Sequence, residues 1–336
     1  MSEKSSPKAR VFSGIQPTGA IHIGNYLGAV RNWVRLQEQY ESYFCIVDFH
    51  AITIPYNPKE MPQRVFEAAV DLLASGLDPE KCVFFVQSYV PEHTELCWIL
   101  NSLTSMGALE RMTQFKEKSE QFREHINAGL FGYPVLQTAD ILLYKAGLVP
   151  VGEDQLQHLE LSREVARRFN KQFGRTFPEP QPELTPAKRI MALNDPTRKM
   201  SKSLPGSFIS LSETEKEMRK KIGRAVTDTG PSENGEMSPG VKNLFTLLEC
   251  FGTPEQVRYF QEQYEAGELR YSELKPAVAD AVVAELNPVR ERREELIAHP
   301  ERVWEAIESG AERARAVARA TMEEVRAKMG LRCGRG

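Results

Sequence analysis

Between residues 11 and 170 the chain repeats one pattern, a short apolar run followed by a longer stretch with apolar side chains every three or four positions. The runs are Val11-Phe12, Tyr43 to Val47, Cys82 to Val86 and Val149 to Val151. Runs this short and this apolar suit strands buried on both faces. Tyr26, Leu27, Val30, Trp33 and Val34 mark one helix face. Val65, Phe66, Ala69, Leu72 and Leu73 mark a second, which stops near Gly76. Glu92 to Leu103 and Glu153 to Asn170 read as further helices. Strands alternating with helices of this length predict an α/β fold built on a doubly wound parallel sheet.

The pattern changes at Phe177-Pro178-Glu179-Pro180-Gln181-Pro182, whose prolines predict an extended linker. From Glu213 onward almost everything reads as helix, interrupted by the polar loop Pro231 to Glu236 and by a break at Asn287-Pro288. A length of 336 residues suits about two domains, here the α/β unit and a helical one. With 41% hydrophobic and 26% charged residues, the mixture is that of an ordinary globular protein, not a disordered or fibrous one.

The five cysteines are scattered and form no C-x-x-C pair, which fits reduced thiols in a cytoplasm and offers no zinc or iron–sulfur ligand cluster. No apolar run approaches the ~18 residues of a membrane span. Residues 1–10 are polar and lack the apolar core of a secretory signal.

Two segments carry chemistry. Ser13-Gly14-Ile15-Gln16-Pro17-Thr18-Gly19-Ala20-Ile21-His22-Ile23-Gly24-Asn25 joins the first strand to the first helix, where such a sheet places its ligand. Glycines admit a phosphate to the backbone there, helix N–H groups meet it, and His22 and Asn25 add two side-chain donors. The segment matches neither the dinucleotide glycine fingerprint nor the P-loop. Taken alone it is equally a common glycine turn. The second segment, Lys199-Met200-Ser201-Lys202-Ser203, sets two lysines around small hydroxyls in a loop bounded by proline and glycine. Such a loop can close over a polyphosphate and neutralise charge developing in a transition state. Alone, an isolated lysine pair reads more readily as a solvated surface loop.

Together, in this order, the two segments resemble the signatures of a class I aminoacyl-tRNA synthetase. Glu110 to Lys118, Ala139-Asp140-Ile141-Leu142-Leu143-Tyr144 and Val149 to Gln155 are similar to strings of the bacterial tryptophanyl branch, and the resemblance spans residues 11–330. It implies a Rossmann-like ATP- and tryptophan-binding domain over residues 1–187. A lysine loop with a helical anticodon-recognition domain would follow over 188–292, and C-terminal helices able to pack back on the first domain over 293–336. It implies ATP as substrate, Mg²⁺ carried on the ATP phosphates, tRNA(Trp) as partner and a homodimer in the cytoplasm. Tryptophan and ATP would give tryptophanyl-adenylate and pyrophosphate, and the tryptophanyl group would pass to tRNA. No enzyme nucleophile is needed for that chemistry.

Residue by residue, the resemblance puts Gly14, His22, Gly24 and Asn25 on the ATP phosphates and Gln16 between the tryptophan carboxylate and the α-phosphate. Lys199, Ser201 and Lys202 would follow the pyrophosphate, with Lys118 opposite. Asp154 would hold the ribose, and the backbone of Ile190 and Met200 would meet adenine. For tryptophan it names Asp140 as acceptor of the indole N–H, Phe12, Val149 and Val151 as walls, Tyr133 and Gln155 for the ammonium, and His50 and Gln137 beside them. An acceptor for the indole N–H is the discriminating element, because that N–H is the only polar handle of the side chain.

The sequence departs from the family pattern at three places. Asn25 replaces the final histidine of H-I-G-H, Gln137 stands where methionine is usual, and Leu204 stands where aspartate is frequent. The last two put affinity and rate in question, so attenuated charging in a paralogue with a binding role stays open, as does tyrosine specificity. The net charge of −3 comes from 43 Lys+Arg against 46 Asp+Glu and hides local excesses. Residues 188–224 hold ten Lys/Arg and four Asp/Glu, and residues 313–336 hold seven and two. Nucleic-acid contact through such patches weakens steeply with salt.

Overall fold

A computed structural model describes residues 8–115, 120, 123–152, 155–184, 188–202, 204, 206–227 and 237–331. Five parallel strands form one sheet in the order β3-β2-β1-β4-β5. They are β1 (Arg10–Ile15), β2 (Glu41–Ile46), β3 (Val83–Val86), β4 (Leu148–Val151) and β5 (Gln181–Leu184). Side chains alternate across it as strand geometry requires. Val11, Phe44, Ile46, Phe84 and Val86 enter one core, and Phe12, Tyr43, Cys45, Val47 and Phe85 enter the other. Trp33 stacks on Phe44 with ring centroids 4.7 Å apart, which anchors the first helix to its face.

The proline-rich stretch predicted as a linker ends in β5. Pro182 pairs with Val149 and sits at the sheet edge, where a residue without an N–H costs no ladder bond. Crossovers run from β1 to β2 and β3 on one side and later to β4 and β5 on the other. The strand order therefore reverses between β1 and β4, the place where such sheets bind ligands. These two strands pair only at Val11 and Leu148, so their C-terminal ends part and leave a crevice.

Eight helices carry the chemistry and the framing of that crevice. α1 (Ile23–Asn25) leads through a π-helical stretch, Tyr26–Val30, into α2 (Arg31–Gln39). α3 (Asp48–Ala51) follows β2, α4 (Met61–Ala74) precedes β3, and α5 (Glu92–Asn101) follows it. α6 (Met106–Glu110) and α7 (Ala128–Leu143) complete the cover before β4, and α8 (Leu156–Phe173) leaves it.

Beyond the sheet lie α9 (Glu215–Gly223), α10 (Pro239–Phe251), α11 (Pro254–Glu265), α12 (Tyr271–Ala298) and α13 (Pro300–Met329). Met218, Ile222, Leu244, Val278 and Leu286 from these helices join the same core as Val11 and Phe44. The break expected at Asn287-Pro288 is absent, because α12 runs through Pro288 and also through the boundary drawn at 292. Leu286 and Val289, both buried on either side of the proline, hold the helix together across it. The chain turns instead at His299, where φ −128° and ψ 63° leave the helical region just before Pro300 opens α13.

α13 returns to the sheet. A Cβ at Gly310 would lie 1.7 Å from the Phe84 carbonyl, so only glycine lets the helix backbone reach edge strand β3. Arg313 donates to the carbonyls of Pro79 and Cys82, and Arg326 pairs with Glu95. A sheet edge that would otherwise offer unpaired backbone groups is thereby covered.

Candidate active site

The crevice holds a pocket of about 260 Å³. Phe12, Gly14 and Gln16 reach it from β1 and its turn, His50 from α3, Tyr133, Gln137 and Asp140 from α7, and Val149, Val151 and Gln155 from β4 and beyond. The eight residues expected around tryptophan thus line a single pocket, together with Gly14 and Gln16. Val47, Ile141 and Pro150 extend the apolar wall, and Gln114 adds a polar group that the sequence analysis did not name. Apolar walls with a few convergent polar groups are the usual make-up of a small-molecule site.

Asp140 is buried at the pocket floor and fully engaged on one oxygen. Oδ1 accepts from Gln87 Nε2 at 2.7 Å and faces His93 Nδ1 at 2.6 Å, while Oδ2 faces His50 Nε2 at 2.8 Å. Burial alone would raise this carboxyl, but the hydrogen bonds from His50 and His93 outweigh it and hold the group at about 2. An ionised carboxylate only accepts, so His93 carries a proton on Nδ1, and its Nε2 lies 2.7 Å from the Tyr144 hydroxyl. Oδ2 carries one hydrogen bond among the described residues, from His50, which lines the pocket together with Asp140.

Gln87, His93 and Tyr144 escaped sequence reasoning. His93 occupies a core-facing position of α5 and reads there as a packed residue, with nothing local pointing to a carboxylate 47 residues away. The Tyr133 hydroxyl sits between His158 Nε2 at 2.9 Å and Gln114 Oε1 at 3.2 Å, which fixes its position.

The second group gathers at the start of α1. His22 is the N-cap, and its Nδ1 accepts from the backbone N–H groups of Gly24 at 3.1 Å and Asn25 at 3.3 Å. The proton therefore sits on Nε2, which leaves His22 a single donor rather than two. A Cβ on Gly24 would come within 3.0 Å of the imidazole, so glycine keeps the cap intact. Burial, assisted by the charges of Lys202 and Lys199, lowers His22 to about 4.

This group carries a pH prediction. The unfolded chain binds a proton below about pH 6.5 that the folded chain refuses until about pH 4. Stability is thus fully present above that window and lost as pH falls through it, by up to roughly 3 kcal/mol. Urea unfolding from neutral pH down to about pH 4.5 should show His22→Gln losing less stability than the parent.

The lysine loop docks on the same turn. Lys202 Nζ donates to the Gly19 carbonyl at 2.8 Å and lies 3.5 Å from Thr18 Oγ1. Ser207 Oγ donates to the Ser201 carbonyl at 2.8 Å, and Leu204 N–H to the same oxygen at 3.3 Å, which sets the loop's turn around Leu204. Ile21 to Ile23 pairs with Ile209 to Leu211 through Ile23 N–H to Ile209 O and Leu211 N–H to Ile21 O, both 2.9 Å. Ile190 and Met200 are buried in a short antiparallel ladder, where the Met200 N–H donates to the Ile190 carbonyl at 3.1 Å. Those two backbone groups hold each other, so adenine cannot use them as free partners. Lys199 is exposed, and its charge acts on His22. Lys118 and Asp154 lie outside the described residues.

No three His, Cys, Asp or Glu side chains gather as a metal cluster among the described residues. The groups gathered around His22 are N–H donors and ammoniums, which suit an anionic ligand better than a bare cation. Among the described residues, no helix is long and apolar enough to cross a membrane.

Comparison with known proteins agrees with this geometry. The model of the tRNA synthetases class I (W and Y) matches residues 4–287. The chain is similar to tryptophan–tRNA ligase 2 of Streptomyces avermitilis, 47% identical across 97% of this chain and 98% of that one. It is also 47% identical to tryptophan–tRNA ligase of Caldanaerobacter subterraneus, across 96% and 98%. Tryptophanyl-tRNA synthetase from Campylobacter jejuni, solved with ADP and tryptophan, superposes with a TM-score of 0.83 at 35% identity over 96% of this chain and 99% of that one. The crevice at the β1–β4 switch point thus lies in a chain that belongs to the class I tRNA synthetases of the tryptophan and tyrosine group.

Proposed function

We propose that this chain is a tryptophan–tRNA ligase. An oxygen of the tryptophan carboxylate attacks the α-phosphorus of ATP, the α–β anhydride bond breaks, and pyrophosphate leaves. A hydroxyl of the terminal ribose of tRNA(Trp) then attacks the adenylate carbonyl and releases AMP. The observation that carries the amino-acid assignment is Asp140, a buried carboxylate kept ionised in the lining of the pocket. It suits the indole N–H and penalises a side chain that lacks one, because the acceptor would then be left unpaired.

In this reading Phe12, Val149 and Val151 sandwich the indole, Tyr133 and Gln155 meet the ammonium, and Gln137 and His50 border them. Gln16 lies toward the carboxylate. His22 gives one Nε2–H to the phosphates, beside Asn25, Gly14 and Gly24. Lys199, Ser201 and Lys202 follow the pyrophosphate as it departs, with Lys118 opposite and Asp154 on the ribose. Adenine would take the Ile190 N–H and the Met200 carbonyl, the two groups left by the ladder bond. Mg²⁺ bound through the phosphates would add charge neutralisation there. The protein supplies position and electrostatics throughout.

Residues 1–187 would serve as the catalytic unit, helices α9 to α12 as the tRNA-reading region, and α13 as its brace. Free thiols at Cys45, Cys82, Cys97 and Cys250 favour a reducing, cytoplasmic setting. Charging of a tRNA(Trp) transcript tests the reading. Charging at a rate near background, with adenylate formation intact, would favour the attenuated paralogue instead.

The homodimer would use the face of α5 and α6, where Trp98 is 79% and Met106 62% exposed. Sedimentation should show Trp98→Glu as a monomer at concentrations where the parent is dimeric. An unchanged dimer would place the interface elsewhere.

A further inference from the structure

Asp71 lies on α4 and is completely buried, yet the adenylation chemistry above makes no use of it. Its two oxygens are divided between distant partners. Oδ2 accepts the Ile21 N–H at 3.0 Å, and Oδ1 accepts Arg293 Nε on α12 at 2.7 Å. Arg293 is itself mostly buried, with 15% of its side chain exposed. An ion pair this deep is poor evidence of stabilisation, since apolar residues of similar volume usually do as well. Its geometry suggests another use.

Ile21 immediately precedes His22 and is gripped at both backbone groups, the N–H by Asp71 and the carbonyl by Leu211 at 2.9 Å. The segment that presents His22 is thus pinned to α4 and α12 on one side and to the exit of the lysine loop on the other. α12 touches the same region again through Glu285, which accepts from the Tyr26 hydroxyl at 2.9 Å and lies 3.8 Å from Arg31. Arg292, beside Arg293, donates to the Ala74 carbonyl at the end of α4 at 2.6 Å. The charge of Asp71 also bears on Lys202, whose ammonium burial pushes down and Asp71 supports.

We propose that Asp71 and Arg293 are positioning residues, which tie helix α12 to the Ile21–His22 segment and hold the His22 Nε2–H and the docked lysine loop in register for phosphate transfer. Asp71 acts through the Ile21 N–H, and Arg293 orients Asp71. The inference rests on the ligase reading above, in which His22 and Lys202 face the phosphates.

The test compares two paired replacements by tryptophan-dependent ATP–pyrophosphate exchange, with tryptophan binding followed by equilibrium dialysis. Asp71→Leu/Arg293→Leu removes both charges and the acceptor together, which avoids leaving one charge buried alone. It should fold, keep the tryptophan dissociation constant within about twofold, and lower kcat by about tenfold or more. Asp71→Asn/Arg293→Gln returns an amide oxygen to Ile21 and should recover kcat to within about threefold of the parent.

Should the leucine pair fail to fold, Asp71→Ser/Arg293→Met disturbs the core less, its hydroxyl falls short of Ile21, and the same loss in kcat is expected. Parental kcat in the acceptor-free variants would overturn the proposal, as would a loss that the amide pair does not recover or one matched in tryptophan affinity. A parent protein with no tryptophan-dependent exchange would instead overturn the ligase reading itself.

Discussion

Asp140→Ala should raise the KM for tryptophan in pyrophosphate exchange by about 10- to 100-fold and narrow the gap between tryptophan and phenylalanine. A hydrogen bond to a charged acceptor contributes about 1.5–3 kcal/mol, and among the described residues Asp140 is the carboxylate that lines the pocket. The substitution also strands the donors of Gln87, His93 and His50, so some loss of stability accompanies it. Asp140→Asn separates the two effects. It keeps the volume and one acceptor, so KM should shift less than in the alanine variant while the charge-dependent stability is lost. The folded carboxyl lies near 2 against 3.8 in the unfolded chain, so its contribution is present above 3.8 and disappears as pH falls toward 2. Unchanged tryptophan affinity in both variants would remove Asp140 from the recognition site.

Lys202→Ala should produce the opposite division. Its ammonium holds the Gly19 carbonyl in the resting chain, a neutral partner that a departing pyrophosphate outcompetes. The interaction is therefore strongest where charge develops, and its loss appears in kcat. A fall of about tenfold or more is expected, with tryptophan binding within about twofold of the parent. Pre-steady-state adenylate formation, measured with tryptophan saturating, checks the first number, and equilibrium dialysis checks the second. An equal loss in tryptophan affinity would mean that Lys202 supports the pocket rather than the transition state.

The residues that sequence identified share one property, a place in a contiguous string. His22 and Asn25 stand at a strand-to-helix turn, and Lys199 to Lys202 stand in one loop, so their chemistry is legible from local order. Phe12, Val149 and Val151 come as pocket walls from the family resemblance alone, because no spacing distinguishes a pocket wall from core.

What stayed hidden depends on long-range contact. The Asp140 donors come from α3, β3's exit and α5, between 47 and 90 residues away. Asp71 and Arg293 lie 222 residues apart, each looking like an ordinary charged residue on its own helix. Proline misled twice in the same direction. Pro182 suggested a linker where an edge strand tolerates it, and Pro288 suggested a break where packing on both sides keeps the helix continuous. Net charge was uninformative for a related reason, since a sum over the chain erases the excess around the lysine loop.

The measurement that tests the account most directly is ATP–pyrophosphate exchange by the parent protein with tryptophan and with tyrosine as alternative substrates. The account predicts exchange that depends on tryptophan, with tyrosine at least about tenfold poorer in kcat/KM because a phenol fills less of the pocket than an indole. Exchange driven as well or better by tyrosine would contradict it.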